Sequence, residues 1–175
     1  MKKIIAITLV TIAAAAAMAV TLTGCSVKYT FSGASIPPAA KTVSIAYFPN
    51  NAAMVAPILS STLTEALQDR FSRQTRLQLV NENGDLAFEG EIINYTSTTA
   101  SVSSNEQAVL NRLTITVRVR FTNVYEPENN FSNKTFTAFA DYESTQLLQS
   151  VEGTLIPEIV DQLVDDIFNA SVSQW

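Results

Sequence analysis

The segment LTITVRVRFT, Leu113 to Thr122, alternates without a fault. Leu113, Ile115, Val117, Val119 and Phe121 fall on one side of an extended chain. Thr114, Thr116, Arg118, Arg120 and Thr122 fall on the other. This period of two predicts a strand whose register cannot slip, because a shift of one residue would expose every apolar side chain at once. A chain that holds such a segment needs a sheet with one dry face and an apolar layer to cover it.

Candidates for that layer lie on either side in sequence. Leu59, Leu63, Ala66, Leu67, Arg70 and Phe71 recur at helical spacing, with Ser60, Ser61, Thr64, Glu65, Gln68 and Asp69 opposite. This helix is expected to begin between Met54 and Pro57, since a first turn accepts proline. Near the C-terminus, Leu155, Ile156, Ile159, Val160, Leu163, Val164, Ile167 and Phe168 form a wide apolar stripe, and Asp161, Gln162, Asp165 and Asp166 cover the rest. Pro157 leaves two starts open: a regular helix beginning near it, or an earlier turn from Val151 joined through a kink.

Further strands read from alternation. TVSIAYF, Thr42 to Phe48, puts Val43, Ile45 and Tyr47 on one face, and LQLV, Leu77 to Val80, is a short strand. LAFEGEIINY, Leu86 to Tyr95, sets Leu86, Phe88, Gly90 and Ile92 against Glu89 and Glu91. A glycine inside a strand marks a bulge or a close neighbour. The polar run Thr96 to Gln107 is expected to end that strand and become a mobile connection. A last strand lies within FSNKTFTAFADY, where Phe136 and Phe139 cannot both face inward without a bulge. The fold class expected is α+β: a two-layer sandwich over residues 41–175, with two helices on one face of a four-stranded mixed sheet in the order β-α-β-β-β-α. Its other face would be open, lined with Thr, Arg and Glu.

Composition removes several kinds of chemistry. The chain has no histidine, which excludes a Ser-His-Asp triad, a Cys-His pair, a histidine-bearing zinc site and a histidine pH switch. It contains neither a glycine-rich phosphate loop nor a metal-ligand spacing. The carboxylate pairs Glu89/Glu91 and Asp165/Asp166 sit where polar surface is expected, so the chain does not read as an enzyme, and no metal is implied. Four Asn-x-Ser/Thr triplets, at Asn94, Asn130, Asn133 and Asn169, read as coincidences of a Ser/Thr/Asn-rich chain.

The one cysteine, Cys25, follows a basic start at Lys2 and Lys3 and an apolar run from Ile4 to Val20. Such a run can be a secretory signal or a membrane-spanning helix. Its ending, Leu22-Thr23-Gly24-Cys25, decides between them, because it resembles the lipobox of bacterial lipoproteins. That implies removal of residues 1–24 as a signal peptide and lipid attachment at Cys25, through a diacylglycerol and an N-acyl (palmitate-type) chain. Two such chains suffice for stable anchoring. Residues 25–40 would then be the lead from membrane to domain, extended where Pro37 and Pro38 force it. Loss of Lys2 and Lys3 leaves 9 basic against 16 acidic residues, a net charge near −7 that argues against nucleic acid as a partner.

Within this acidic chain, Arg112, Arg118 and Arg120 gather on one strand. Cross-strand pairing of Arg118 and Arg120 with Glu89 and Glu91 is the simpler role. Guanidinium forks on an open face also suit phosphates or carboxylates, and one surface serves both.

Four stretches, in this order and spacing, resemble the LptE family of outer-membrane lipoproteins: GCSVKYTFSG (Gly24–Gly33), IPPAAKTVSI (Ile36–Ile45) followed by Phe48-Pro49-Asn50, GDLAFEGEI (Gly84–Ile92), and RLTITV (Arg112–Val117) followed by a strand and a terminal helix. The resemblance implies two helices on a four-stranded sheet. It further implies a non-catalytic lipoprotein of lipopolysaccharide transport that plugs the LptD β-barrel, helps it assemble and binds lipopolysaccharide from the periplasmic side of the outer membrane. Arg112, Arg118 and Arg120 are the candidate contacts to lipopolysaccharide or barrel, chosen by face and charge. The alternative is a periplasm-facing lipoprotein that activates a cell-wall synthase, since Val43 to Asn50 also resembles the first strand of those proteins.

Overall fold

The structure is a computed structural model that describes residues 36–101 and 110–172. The signal segment, Cys25, the lead up to residue 35 and residues 102–107 of the polar run lie outside the described residues. Along the chain come β1 (Thr42–Ile45), α1 (Leu59–Gln74), β2 (Gln78–Val80), β3 (Leu86–Ser101), β4 (Leu110–Asn123), a 3-10 turn (Pro127–Asn129), β5 (Phe131–Glu143) and α2 (Leu148–Val172). Both helices contribute to one core with the inward residues of the sheet, so the class is α+β with two helices on a mixed sheet.

The sheet has five strands rather than four, in the order β2-β1-β3-β4-β5. The short Gln78–Val80 segment makes the difference: it pairs parallel with β1 and forms an edge of its own. β3 runs parallel to β1 on the other side, and the long β3-β4-β5 meander is antiparallel. Since β2 and β3 flank β1, residues 81–85 must cross it. Gly84 makes that crossing possible: a Cβ there would stand 2.7 Å from the Val43 carbonyl carbon. Its N–H donates to Ser44 Oγ at 3.1 Å, which explains how a serine on the otherwise open face of β1 is buried.

The alternation of β4 is realised in full, with Leu113, Ile115, Val117, Val119 and Phe121 buried. β5 resolves its own parity: Phe136, Ala138, Ala140 and Tyr142 face the core, and Phe139 is turned out and 45% exposed. β3 is longer than its apolar half suggests and continues through the polar residues to Ser101. A register shift between Ile92 and Asn94 lets Ile92 and Tyr95 both point inward, three residues apart. Aromatic rings run through the core from one layer to the other. Phe71 of α1 lies 5.1 Å from Phe168 of α2 and 4.7 Å from Phe88, which is 4.8 Å from Phe121.

Three local expectations need correction. β1 ends at Ile45, so Tyr47 is 63% exposed and Phe48 takes the core position instead. Helix α1 starts at Leu59, just beyond the turn made by Pro57 and Ile58. Ser60 and Thr64, assigned above to its polar side, are buried. Thr64 Oγ1 donates to the Ser60 carbonyl at 2.8 Å and accepts the Phe48 N–H at 3.2 Å, so the hydroxyl satisfies a backbone donor that the ended strand no longer pairs. Of the two starts that Pro157 left open, the chain takes the earlier: α2 is helical from Leu148, just before Val151, through the proline to Val172.

Candidate functional site

Among the described residues no helix covers the second face of the sheet, and on this helix-free face polar side chains converge. Strand alternation alone puts Glu89 and Glu91 of β3, Arg112, Arg118 and Arg120 of β4, and Phe139 and Asp141 of β5 on that face. Register then sets their neighbours: Glu89 is opposite Arg120, Glu91 opposite Arg118, and Arg112 opposite Asp141.

The three arginines are held very differently. Arg112 is clamped by a two-toothed contact, Nε to Asp141 Oδ1 at 2.7 Å and Nη2 to Oδ2 at 2.9 Å. Its guanidinium carbon also lies 3.7 Å from the Phe139 ring centroid. The hydrogen bond from Arg112 holds the Asp141 carboxyl below its ordinary value, and Asp141 raises Arg112 in turn. Arg118 Nη1 donates to Glu91 Oε1 at 2.9 Å, and Asn51 Nδ2 donates to the other Glu91 oxygen at 2.6 Å. Arg120 is looser, with Nη1 3.7 Å from Glu89 Oε2 and both side chains more than half exposed.

Thus the cross-strand pairing read from sequence is present, and Arg118 and Arg120 share a groove with Glu89 and Glu91. Arg112 lies farther along β4, paired with Asp141. Sequence reasoning missed Asp141, Phe139 and Asn51. The first two were legible as an open-face pair two residues apart on β5, once its parity was known. Asn51 belongs to the loop after β1, and no periodicity points to it.

These features can bind anionic or zwitterionic groups. Among the described residues, no group of three or more Asp, Glu, His or Cys side chains is placed to hold a metal, and no helix is long and apolar enough to cross a membrane.

A family model described as LptE, lipopolysaccharide-assembly, matches residues 40–171, which take in all five strands, α1 and α2 up to Ser171. The chain belongs to the LptE family. Among solved structures, this LptE-family chain is similar to the hypothetical protein CT253 from Chlamydia trachomatis, at 11% identity and a TM-score of 0.52 over 76% of this chain and 98% of that one. That likeness shows a shared fold. A minor lipoprotein from Acinetobacter baumannii matches at 21% identity and a TM-score of 0.40, over 70% of this chain and 91% of its own. An uncharacterized lipoprotein B from Nitrosomonas europaea matches at 12% identity and 0.47, over 84% and 92%. A search of curated proteins gave no match.

Proposed function

We propose that this LptE-family chain is an outer-membrane lipoprotein of lipopolysaccharide transport, anchored through acylated Cys25 and seated on the periplasmic side within an LptD β-barrel. It acts there as plug and assembly partner and binds lipopolysaccharide, with no catalytic step. The observation that carries this is the family match over residues 40–171, which spans all five strands, α1 and nearly all of α2. The lipobox-like ending at Cys25 and the open strand face with Arg112, Arg118 and Arg120 support the anchor and the contact surface respectively.

Affinity recovery of the lipidated protein from detergent-solubilised outer membrane tests the partnership. A very large β-barrel protein should come down in near-equal amount. Recovery of a peptidoglycan synthase in its place would overturn the assignment. The contact surface has a separate test: Arg118→Glu combined with Arg120→Glu should weaken lipopolysaccharide binding or barrel association. If neither changes, that face is not the contact.

A further inference from the structure

A break in the sheet opens a groove beside the ion pairs on the helix-free face. Pairing of β4 with β5 shifts register between Val119 and Phe121, so Arg120 has no partner on β5. Close by, Asn133 takes a positive φ of 56°, a conformation uncommon outside glycine. Bulges of this kind recur where a strand must present a side chain in a particular direction. The resulting cavity, about 290 Å³ and open to solvent, is lined by Glu89, Glu91, Arg118 and Arg120, with Pro49 and Asn133 at its sides.

Its two ion pairs are unequal. Glu91 is fastened by Arg118 at 2.9 Å and by Asn51 at 2.6 Å. Arg120 and Glu89 stand 3.7 Å apart, beyond hydrogen-bond length, and are 61% and 63% exposed. One pair forms a fixed wall, and the other offers a guanidinium and a carboxylate that do not satisfy each other.

We propose that this groove binds an aminoalkyl phosphate, with the phosphate on Arg120 and the ammonium on Glu89. Charge decides the ligand class. A bare anion drawn to Arg120 would meet two carboxylates, in a chain whose net charge is already −5. A bare amine would meet two guanidiniums. A short zwitterion leaves every charge in the groove opposite its complement, and the guanidinium fork matches phosphate oxygens in pairs.

The test is a chemical-shift titration of the purified full chain in a non-ionic maltoside detergent. The probes are phosphoethanolamine, inorganic phosphate, ethanolamine, and short-chain phosphatidylethanolamine and phosphatidylcholine. Phosphoethanolamine should shift the amides of residues 89–91, 118–120 and 133, with inorganic phosphate and ethanolamine each binding about tenfold more weakly. Arg120→Ala and Glu89→Gln, both surface changes, should each remove the response, and Arg73→Ala on the exposed side of α1 should leave it intact.

A response to phosphatidylethanolamine equal to that of the free compound supports a lipid headgroup as the source. A response to the free compound alone supports a soluble one. Phosphatidylcholine, whose ammonium has no N–H to donate, should bind more weakly than phosphatidylethanolamine. Equal binding of inorganic phosphate, equal binding of ethanolamine, or no localised shifts would overturn the proposal. The measurement needs no barrel, so its failure leaves the partnership test untouched.

Discussion

At the scale of single residues, two positions show how little freedom the sheet leaves. Gly90 faces the core between Phe88 and Ile92, yet a Cβ there would lie 2.5 Å from the Phe48 ring and collide with the Arg118 carbonyl. The ring occupies the room that a side chain would need. Gly90→Ala should therefore destabilise by about 1–3 kcal/mol, seen as a lower urea midpoint at unchanged slope. Asp85 ties the starts of β1 and β3 together, accepting from Lys41 N–H at 2.8 Å, Thr42 N–H at 3.0 Å and Thr42 Oγ1 at 2.9 Å. These hydrogen bonds, led by the one from Lys41, hold its carboxyl below the ordinary carboxylate value. A lowered folded-state value means that its contribution is complete above the unfolded value of roughly 3.9 and is lost as pH falls through the folded one. The stability advantage of the natural chain over Asp85→Asn should thus be present at pH 7 and shrink below about pH 4, which urea midpoints across that range will show.

At the scale of elements, α2 contains a proline that lacks the N–H for a bond to the residue four before it, Gly153. Apart from its chain neighbours and the backbone of its own helix, no atom lies within 4 Å of where a Gly153 Cβ would be. Gly153→Ala should stabilise α2 by about 0.5–1 kcal/mol through helix propensity, raising the thermal midpoint. The bulge in β3 has a consequence at the same level. It turns Tyr95 inward, where its hydroxyl donates to Glu152 of α2 at 2.5 Å and fastens the helix to the sheet. Burial, with help from the Glu152 carboxylate, pushes the Tyr95 hydroxyl well above the ordinary tyrosine value. Because the folded value is raised, this contribution is complete below about pH 10 and is lost as pH climbs further. Tyr95→Phe should be less stable than the natural chain at neutral pH by about 0.5–1.5 kcal/mol, and the gap should narrow in alkaline denaturation curves.

At the scale of the whole molecule, the aromatic contacts make the two layers interdependent. Phe71 is fully buried and touches both Phe168 of the other helix and Phe88 of the sheet. Phe71→Ala should cost about 3–5 kcal/mol and lower all optical transitions together, since no layer retains its full cover. Separate transitions for helix and sheet would contradict that coupling. The helix-free face is constructed on the opposite rule, with exposed ion pairs that individually add little to stability. Charge changes there should alter binding far more than the unfolding midpoint.

The sequence by itself determined the α+β class, the inward set of β4, the apolar stripe of α2, and the outward placing of Arg118, Arg120, Glu89 and Glu91 on their strands. Each follows from a period of 2 or 3.6 that runs long enough to have one solution. Tertiary structure decided what had no such repeat. A three-residue edge strand became the fifth member only because β1 was there to pair with it. Ser60 and Thr64 entered the core because Thr64 could satisfy the Phe48 amide, and Phe139 turned outward because β4 fixed the register of β5. The groove at Arg120 is a product of the same kind. Its arginine and glutamates are legible as alternating charges, but its opening depends on a register break between two strands. A local pattern says which way a side chain points, and only the neighbouring strand says how much room it finds there.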